Sequence, residues 1–247
     1  MKQKQPILVA HRGWPARYPE NTLIGIEAAL KAGAKAIEFD VQLSADKMPM
    51  LFHDETLMRI TGREGYIMET GLAALKTMEA YEPGRFEDRY KGTPVSTLSE
   101  LVELLADYPD VEVFVEIKRE SMVCFGIEVV MDRVIEKIAP IRAQCVLTSF
   151  EAPALLYSRE TGFKKIAWVI SEYGPASEKI AGSLQPDFLV CNRKKIPATP
   201  GALWPGNWQW MLYVSNDPRE AMQCFETGAR YVETDDIGAM LPAFQSQ

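Results

Sequence analysis

The amino-acid sequence predicts an α/β protein: an eight-stranded TIM (β/α)8 barrel with an extra antiparallel hairpin strand and a small insertion at the barrel mouth. Three observations lead there. Nine short apolar segments punctuate the 247 residues, most of them separated by helical patterns. One pair is joined only by the four residues 44–47, where a parallel crossover needs a dozen or more, so that pair is a hairpin and eight strands remain. Eight βα units in roughly 250 residues is the arithmetic of a TIM barrel. The GxGxxG turn that would favour a doubly wound open sheet is absent after the first strand.

The elements follow in order. Residues 7–10 form an apolar strand that ends at His11. Residues 21–33 read as a helix, capped by Asn21 or Thr22, with Leu23, Ile26 and Leu30 on one face and Gly33 closing it. Strands are expected at 36–43 and 48–52, the second returning antiparallel on the first. Thr97 and Glu100 make a capping box for a helix whose apolar face carries Leu101, Leu104 and Leu105. A β-branched strand spans 111–117, and Val123, Ile127, Val130, Val134 and Ile138 mark one long helix. Further strands fall at 146–150, 166–170, 188–191 and 211–215. Pro218 starts a helix that ends near Gly228, and 231–234 is the last strand.

Two connections are long. Residues 54–96 carry five glycines and one weak helix around 72–78, the pattern of a lid or insertion within a single domain spanning 1–247. Residues 192–209 hold Pro197, Pro200 and Pro205 beside Trp204 and Trp208, which argues against a regular helix. With Trp210, these tryptophans either form an apolar entrance or pack against the outer helices, and packing is the expectation.

Composition narrows the function classes. Lys and Arg total 27 against 34 Asp and Glu, a net charge of −7, which opposes nonspecific nucleic-acid binding. No run approaches the ~20 apolar residues of a membrane span, and the short polar start leaves no room for a secretory signal, so a cytoplasmic location is expected. The four cysteines, Cys124, Cys145, Cys191 and Cys224, are scattered and read as reduced core residues. There is no GxxxxGK[ST] loop and no GxSxG elbow.

A TIM barrel builds its site at the C-terminal ends of its strands. Those ends carry His11 and Arg12, then Glu38 and Asp40, then Glu116 and Lys118, and finally Thr234, Asp235 and Asp236. Glu38 and Asp40 are two apart and share one face of their strand. Buried charge inside an apolar strand is costly unless paired or bound to a cation. Three carboxylates converging from two strands suit one divalent cation, Mg²⁺ or Ca²⁺, through oxygen. The plainer alternative is that they pair only with Arg12 and Lys118.

The returning hairpin strand brings the second histidine to the same place. With a two-residue turn at Asp46–Lys47, His53 sits opposite Asp40 on the same face; a three-residue turn shifts it by one. The chain has two histidines in all, and both arrive at the carboxylates. Imidazole can move a proton near neutral pH. The constellation implies metal-assisted phosphodiester cleavage, in which Arg12 and Lys118 hold a phosphate and the histidines act as acid and base.

The segments VAHRG (9–13), PENT (19–22), IEFDVQLSAD (37–46), LFHDETLMRITG (51–62), VEIK (115–118), TSF (148–150) and TDD (234–236) resemble the glycerophosphodiester phosphodiesterase family, from first strand to last. The resemblance implies a TIM barrel that uses a divalent cation to hydrolyse small glycerophosphodiesters to glycerol 3-phosphate and an alcohol. It implies His11 and His53 as the acid/base pair and Glu38, Asp40 and Glu116 as metal ligands. Arg12 and Lys118 become phosphate contacts, and Glu20 and Asn21 help to build the site. Two departures stand out: Tyr213-Val214-Ser215-Asn216 where the family carries a tryptophan-led stretch, and Val95-Ser96 where it has isoleucine-proline. They leave the preferred alcohol open. The alternatives are a superfamily enzyme acting on lysophospholipid or sphingolipid, and a barrel that binds a phosphorylated ligand without turning it over.

Overall fold

In the structure, a computed structural model, residues 4–197, 199 and 201–245 are described; residues 1–3 of the polar start and Pro200 of the proline-rich connection lie outside them. Nine strands form one sheet: β1 (Ile7–His11), β2 (Ala36–Leu43), β3 (Pro49–Leu51), β4 (Glu112–Ile117), β5 (Cys145–Ser149), β6 (Ile166–Ile170), β7 (Phe188–Asn192), β8 (Gln209–Tyr213) and β9 (Tyr231–Thr234). Eight are parallel and close on themselves, because β1 pairs with β2 on one side and with β9 on the other. β3 runs antiparallel on β2, outside the ring. This is the expected TIM barrel with its extra hairpin strand.

Strand alternation sorts the core into two shells. Outward residues such as Ile37, Phe39 and Val41 pack under the helices, among them Ile26, Leu30, Leu101 and Leu105. Inward residues fill the barrel in layers drawn from alternate strands. Following the register upward, the lowest layer is Ala36, Val146, Phe188 and Tyr231, and the next is Val9, Phe114, Ala167 and Met211. Phe114, Phe188 and Tyr231 meet edge to face at 5.1–5.8 Å and plug the barrel. Above this plug the layers turn polar. Glu38, Thr148, Val190 and Glu233 come next, then His11, Glu116, Val169 and Tyr213.

Several local expectations need correcting. The hairpin turn has three residues rather than two: Ser44 N–H donates to Met48 O, Lys47 takes a positive φ of 60°, and Val41 pairs with Leu51. Phe52, not His53, therefore stands opposite Asp40, donating its N–H to the Asp40 carbonyl at 3.1 Å. The long helix expected through 123–138 is two, Arg119–Phe125 and Ile127–Ile138, broken at Gly126 with φ 87°. β8 begins two residues earlier than expected and ends at Tyr213, although Ser215 N–H still reaches the Glu233 carbonyl. The capping box at Thr97 and Glu100 is present as expected.

The segment 54–96 has a core of its own, in which Leu57, Ile60, Ile67, Leu75 and Val95 bury against Met50 and Phe52 at the hairpin. Its helices are short, and the one expected near 72–78 spans only Leu72–Leu75. Arg85 and Tyr90 tie it to the β1 loop through the carbonyls of Pro15 and Arg17. The described part of the connection after β7 has only the turn Arg193–Lys195. Trp204 stacks on Tyr173 at 4.3 Å, and its carbonyl accepts the indole N–H groups of Trp208 and Trp210. Trp210 points outward from β8 into the core, so the aromatic cluster packs on the barrel wall.

Candidate active site

Two successive left-handed residues shape the turn after β1. Arg12 has φ 52° and Gly13 φ 91°. A Cβ on Gly13 would lie 2.8 Å from Ile26 N, so only glycine lets the turn dock on the helix Leu23–Lys31. The turn aims the Arg12 N–H at Glu38 Oε2, 3.1 Å away. Asn21, also left-handed at φ 53°, donates its N–H to the Arg12 carbonyl. Its side chain clamps Asp40, with Nδ2 donating to Oδ2 at 2.9 Å and Oδ1 accepting the Asp40 N–H at 3.0 Å.

Glu38 and Asp40 are 2% and 1% exposed. Together with Glu116 they offer three carboxylate oxygens within 4.8 Å of one another. The cations expected nearby are there. Arg12 Nε lies 3.0 Å from Asp40, Lys118 Nζ lies 3.4 Å from Asp40 and 2.8 Å from Glu116, and Arg12 Nη1 donates to Glu20 at 2.9 Å. These pairings do not neutralise the cluster. Burial would raise the Asp40 carboxyl, yet Arg12 and Lys118 hold it well below the usual carboxylate range. Glu38 goes the other way: burial, then Asp40, Glu233 and Glu116, push it well up, with Arg12 opposing. Three hard oxygen donors, two buried and Glu116 half-buried, with one carboxylate left unbalanced, fit a divalent cation.

Each histidine is oriented by a carboxylate. His11 Nδ1 lies 2.7 Å from Asp235 Oδ1, which leaves Nε2 toward Glu38 at 3.9 Å. Asn216 steadies Asp235, donating from Nδ2 to Oδ2 and accepting the Asp235 N–H. Burial and then Arg12 pull the His11 imidazole down, but Asp235 and Glu233 together outweigh them, and the group ends above its ordinary value. His53 Nδ1 lies 2.7 Å from Asp54 Oδ1, and Arg59 grips both oxygens of Asp54, donating from Nε to Oδ2 at 2.6 Å and from Nη2 to Oδ1 at 2.8 Å. Arg59 also reaches Glu20 and Glu82, which joins the insertion to the barrel through one guanidinium. A cavity of about 380 Å³ opens beside His11, lined by Arg12, Glu20, Arg85, Asn216 and Asp235.

The structure thus gathers all nine sequence-derived site residues at the barrel mouth: His11, Arg12, Glu20, Asn21, Glu38, Asp40, His53, Glu116 and Lys118. His53 arrives there after β3 has ended, from the loop rather than from a strand face. Sequence reasoning assigned no role to Asp54, Arg59, Glu82, Asn216, Glu233 or Asp235. Asp235 stood among the polar residues at the strand ends but was given no role, and Asp54 adjoins His53. Glu233 carried the same signal as Glu38, a glutamate inside an apolar strand.

The sequence pattern of the Glycerophosphoryl diester phosphodiesterase family matches residues 11–162, more than half of the chain. The chain belongs to this family. A glycerophosphodiester phosphodiesterase of Caldanaerobacter subterraneus is 37% identical over 122 residues, 49% of each chain, and one of Bacillus altitudinis is 35% identical over 121 residues. The chain spans about half the length of the curated relatives it matches. Among solved structures, a phosphodiesterase of Oleispira antarctica, in complex with the product sn-glycerol-3-phosphate, superposes with a TM-score of 0.84 at 24% identity, covering 98% of this chain and 97% of that one. At that identity the likeness establishes the shared barrel fold. Among the described residues no helix is long and apolar enough to cross a membrane.

Proposed function

We propose that this family member is a cation-dependent phosphodiesterase that hydrolyses glycerophosphodiesters to glycerol 3-phosphate and an alcohol. The observation that carries the proposal is the pair of histidines, each fixed through Nδ1 by its own aspartate, at a compact trio of carboxylates. A barrel that only bound a phosphorylated ligand would have no use for two oriented proton carriers. The relatives named for this activity and the neighbour holding sn-glycerol-3-phosphate point the same way.

Glu38, Asp40 and Glu116 would hold one divalent cation, Mg²⁺ or Ca²⁺, which supplies Lewis-acid stabilisation of phosphate oxygen charge. The protein's own groups do the rest. Arg12 and Lys118 offer cations to the non-bridging oxygens, and their own burial strengthens that attraction. Asn21 keeps Asp40 from rotating, and Glu20 keeps Arg12 extended. One histidine takes the proton of the nucleophile at Nε2, and the other gives a proton to the departing alkoxide. In-line displacement puts those oxygens on opposite sides of phosphorus, so two groups are required. Asp235 and Asp54 stabilise whichever imidazole is charged. The nucleophile is water, or the neighbouring glycerol hydroxyl already held close.

The test is release of glycerol 3-phosphate from glycerophosphocholine, followed by a coupled dehydrogenase. Activity should vanish with a chelator and return with Mg²⁺ or Ca²⁺. Turnover of lysophospholipid or sphingolipid with none of glycerophosphocholine would replace the substrate class. The outward packing of Trp204, Trp208 and Trp210 leaves that reading without an acyl-binding entrance from this cluster.

A further inference from the structure

Glu233 is a fourth carboxylate in the barrel that the mechanism above does not use. It lies on β9 two residues beyond Tyr231, which is part of the inner core, so its side chain points into the barrel. Its register partner is Val9, which places it in the layer just below His11 and level with Glu38. It is 4% exposed. Among the described residues, none makes a hydrogen bond or ion pair with its carboxylate. Its charge nevertheless acts on Glu38, and it feels His11, Glu116, Arg12 and Asp40, which come from three other strands. A buried carboxylate without a partner costs several kcal/mol in general terms, so such a group either takes up a proton, the direction in which burial drives Glu233, or is satisfied by something that binds. The corresponding layer of a TIM barrel is usually filled by branched apolar residues, as Val190 does on β7.

We infer that Glu233 is a second tier of the cation site, facing the ion held by Glu38, Asp40 and Glu116 through one of its coordinated waters. Its oxygens fall outside the compact group of three, which argues for an outer position rather than direct ligation. A metal-bound water supplies the two things the carboxylate lacks, a hydrogen-bond donor and nearby positive charge. This inference rests on the metal site proposed above and adds a residue to it.

The experiment is calorimetric titration of Mg²⁺, and separately Ca²⁺, into chelator-stripped full-length protein, paired with thermal unfolding with and without the ion. Wild type, Glu233→Gln, Glu233→Leu and Asp40→Asn are compared. Glu233→Gln should weaken cation affinity by about 10–100-fold, the usual cost of losing an outer partner of a metal site. The same change should raise the Tm of the metal-free protein, because it removes an unpaired buried charge, and should shrink the Tm gain on adding cation. Glu233→Leu, which matches the apolar chemistry of Val190, should do both more strongly. A merely structural glutamate would lower the metal-free Tm and leave affinity unchanged, and that result overturns the inference. If Asp40→Asn abolishes binding while both Glu233 variants bind as wild type, the metal site stands and the second tier falls. If wild type binds neither ion, the metal site itself falls and takes the second tier with it.

Discussion

Replacing Asp235 by asparagine removes one charge at almost constant volume and isolates what the carboxylate does for His11. The contact is 2.7 Å, and Asn216 donates from the far side to the other carboxylate oxygen, so the new amide, with a single acceptor, can satisfy only one of these two donors. A hydrogen bond to a charged group contributes about 1.5–3 kcal/mol and a neutral one about 1. The loss is therefore about 0.5–2 kcal/mol if the amide oxygen still accepts from Nδ1, or about a 2- to 30-fold fall in kcat. If the amide instead turns its NH₂ to Nδ1, the imidazole is forced into the other tautomer and the loss grows toward about 10⁴-fold. The sign of the pH effect is fixed. Burial lowers His11 and Asp235 raises it, so removing the charge moves the limb of the kcat profile that belongs to His11 toward lower pH. The assay is glycerol 3-phosphate release across a pH series, with KM and cation affinity measured beside it and expected to hold. An Asp235→Asn enzyme with wild-type kcat and an unmoved limb would refute the idea that Asp235 positions and charges His11.

Four further outcomes are expected. His11→Ala and His53→Ala should each lower kcat by about 10²–10⁴-fold, and the double variant by far less than the product; an aryl phosphodiester should rescue loss of the acid alone. Asp40→Asn should lose cation affinity and rate together, checked by calorimetry and turnover on one preparation. Gly13→Ala should destabilise by about 1–3 kcal/mol, because its Cβ meets Ile26 N at 2.8 Å and φ is 91°, and urea unfolding would show it. Arg59→Met should flatten acid sensitivity. Burial would raise Asp54 and Glu20, yet His53 and Arg59 hold Asp54 below the ordinary value, and Arg59 and Arg12 do so for Glu20. Their stabilisation is present above the unfolded pKa of about 4 and lost as pH falls through the folded values. Wild-type Tm should therefore drop more steeply than the variant's below about pH 4, and parallel curves would contradict this.

Much of the fold was legible because strand and helix periods differ and one link was too short for a crossover. The limits β2 36–43, β6 166–170 and β9 231–234 were read without error, since each is an apolar run bounded by polar or turn residues. Gly126 was not read as a break, because the apolar spacing from Val123 to Ile138 continues across it. The hairpin register was open by one residue, because Ser44, Asp46 and Lys47 suit a two-residue or a three-residue turn, and only the Ser44–Met48 bond decides. The carboxylates that meet at the barrel mouth were legible because charge inside an apolar strand needs a reason. The roles of Asp54, Asp235 and Arg59 were not, since a residue that orients another is set by loop geometry. Glu233 could have been found: the rule that singled out Glu38 and Glu116 applies equally to the last strand.

The central claim is that one divalent cation sits among Glu38, Asp40 and Glu116, within reach of both histidines. The most direct test is an anomalous difference map from crystals of the protein soaked in Mn²⁺. The account predicts a single strong peak bounded by one oxygen from each of the three carboxylates, with His11 and His53 on either side of the space above it and a water between the peak and Glu233. A peak elsewhere, or none at that position while the enzyme in the same crystals still turns over glycerophosphocholine, would contradict it.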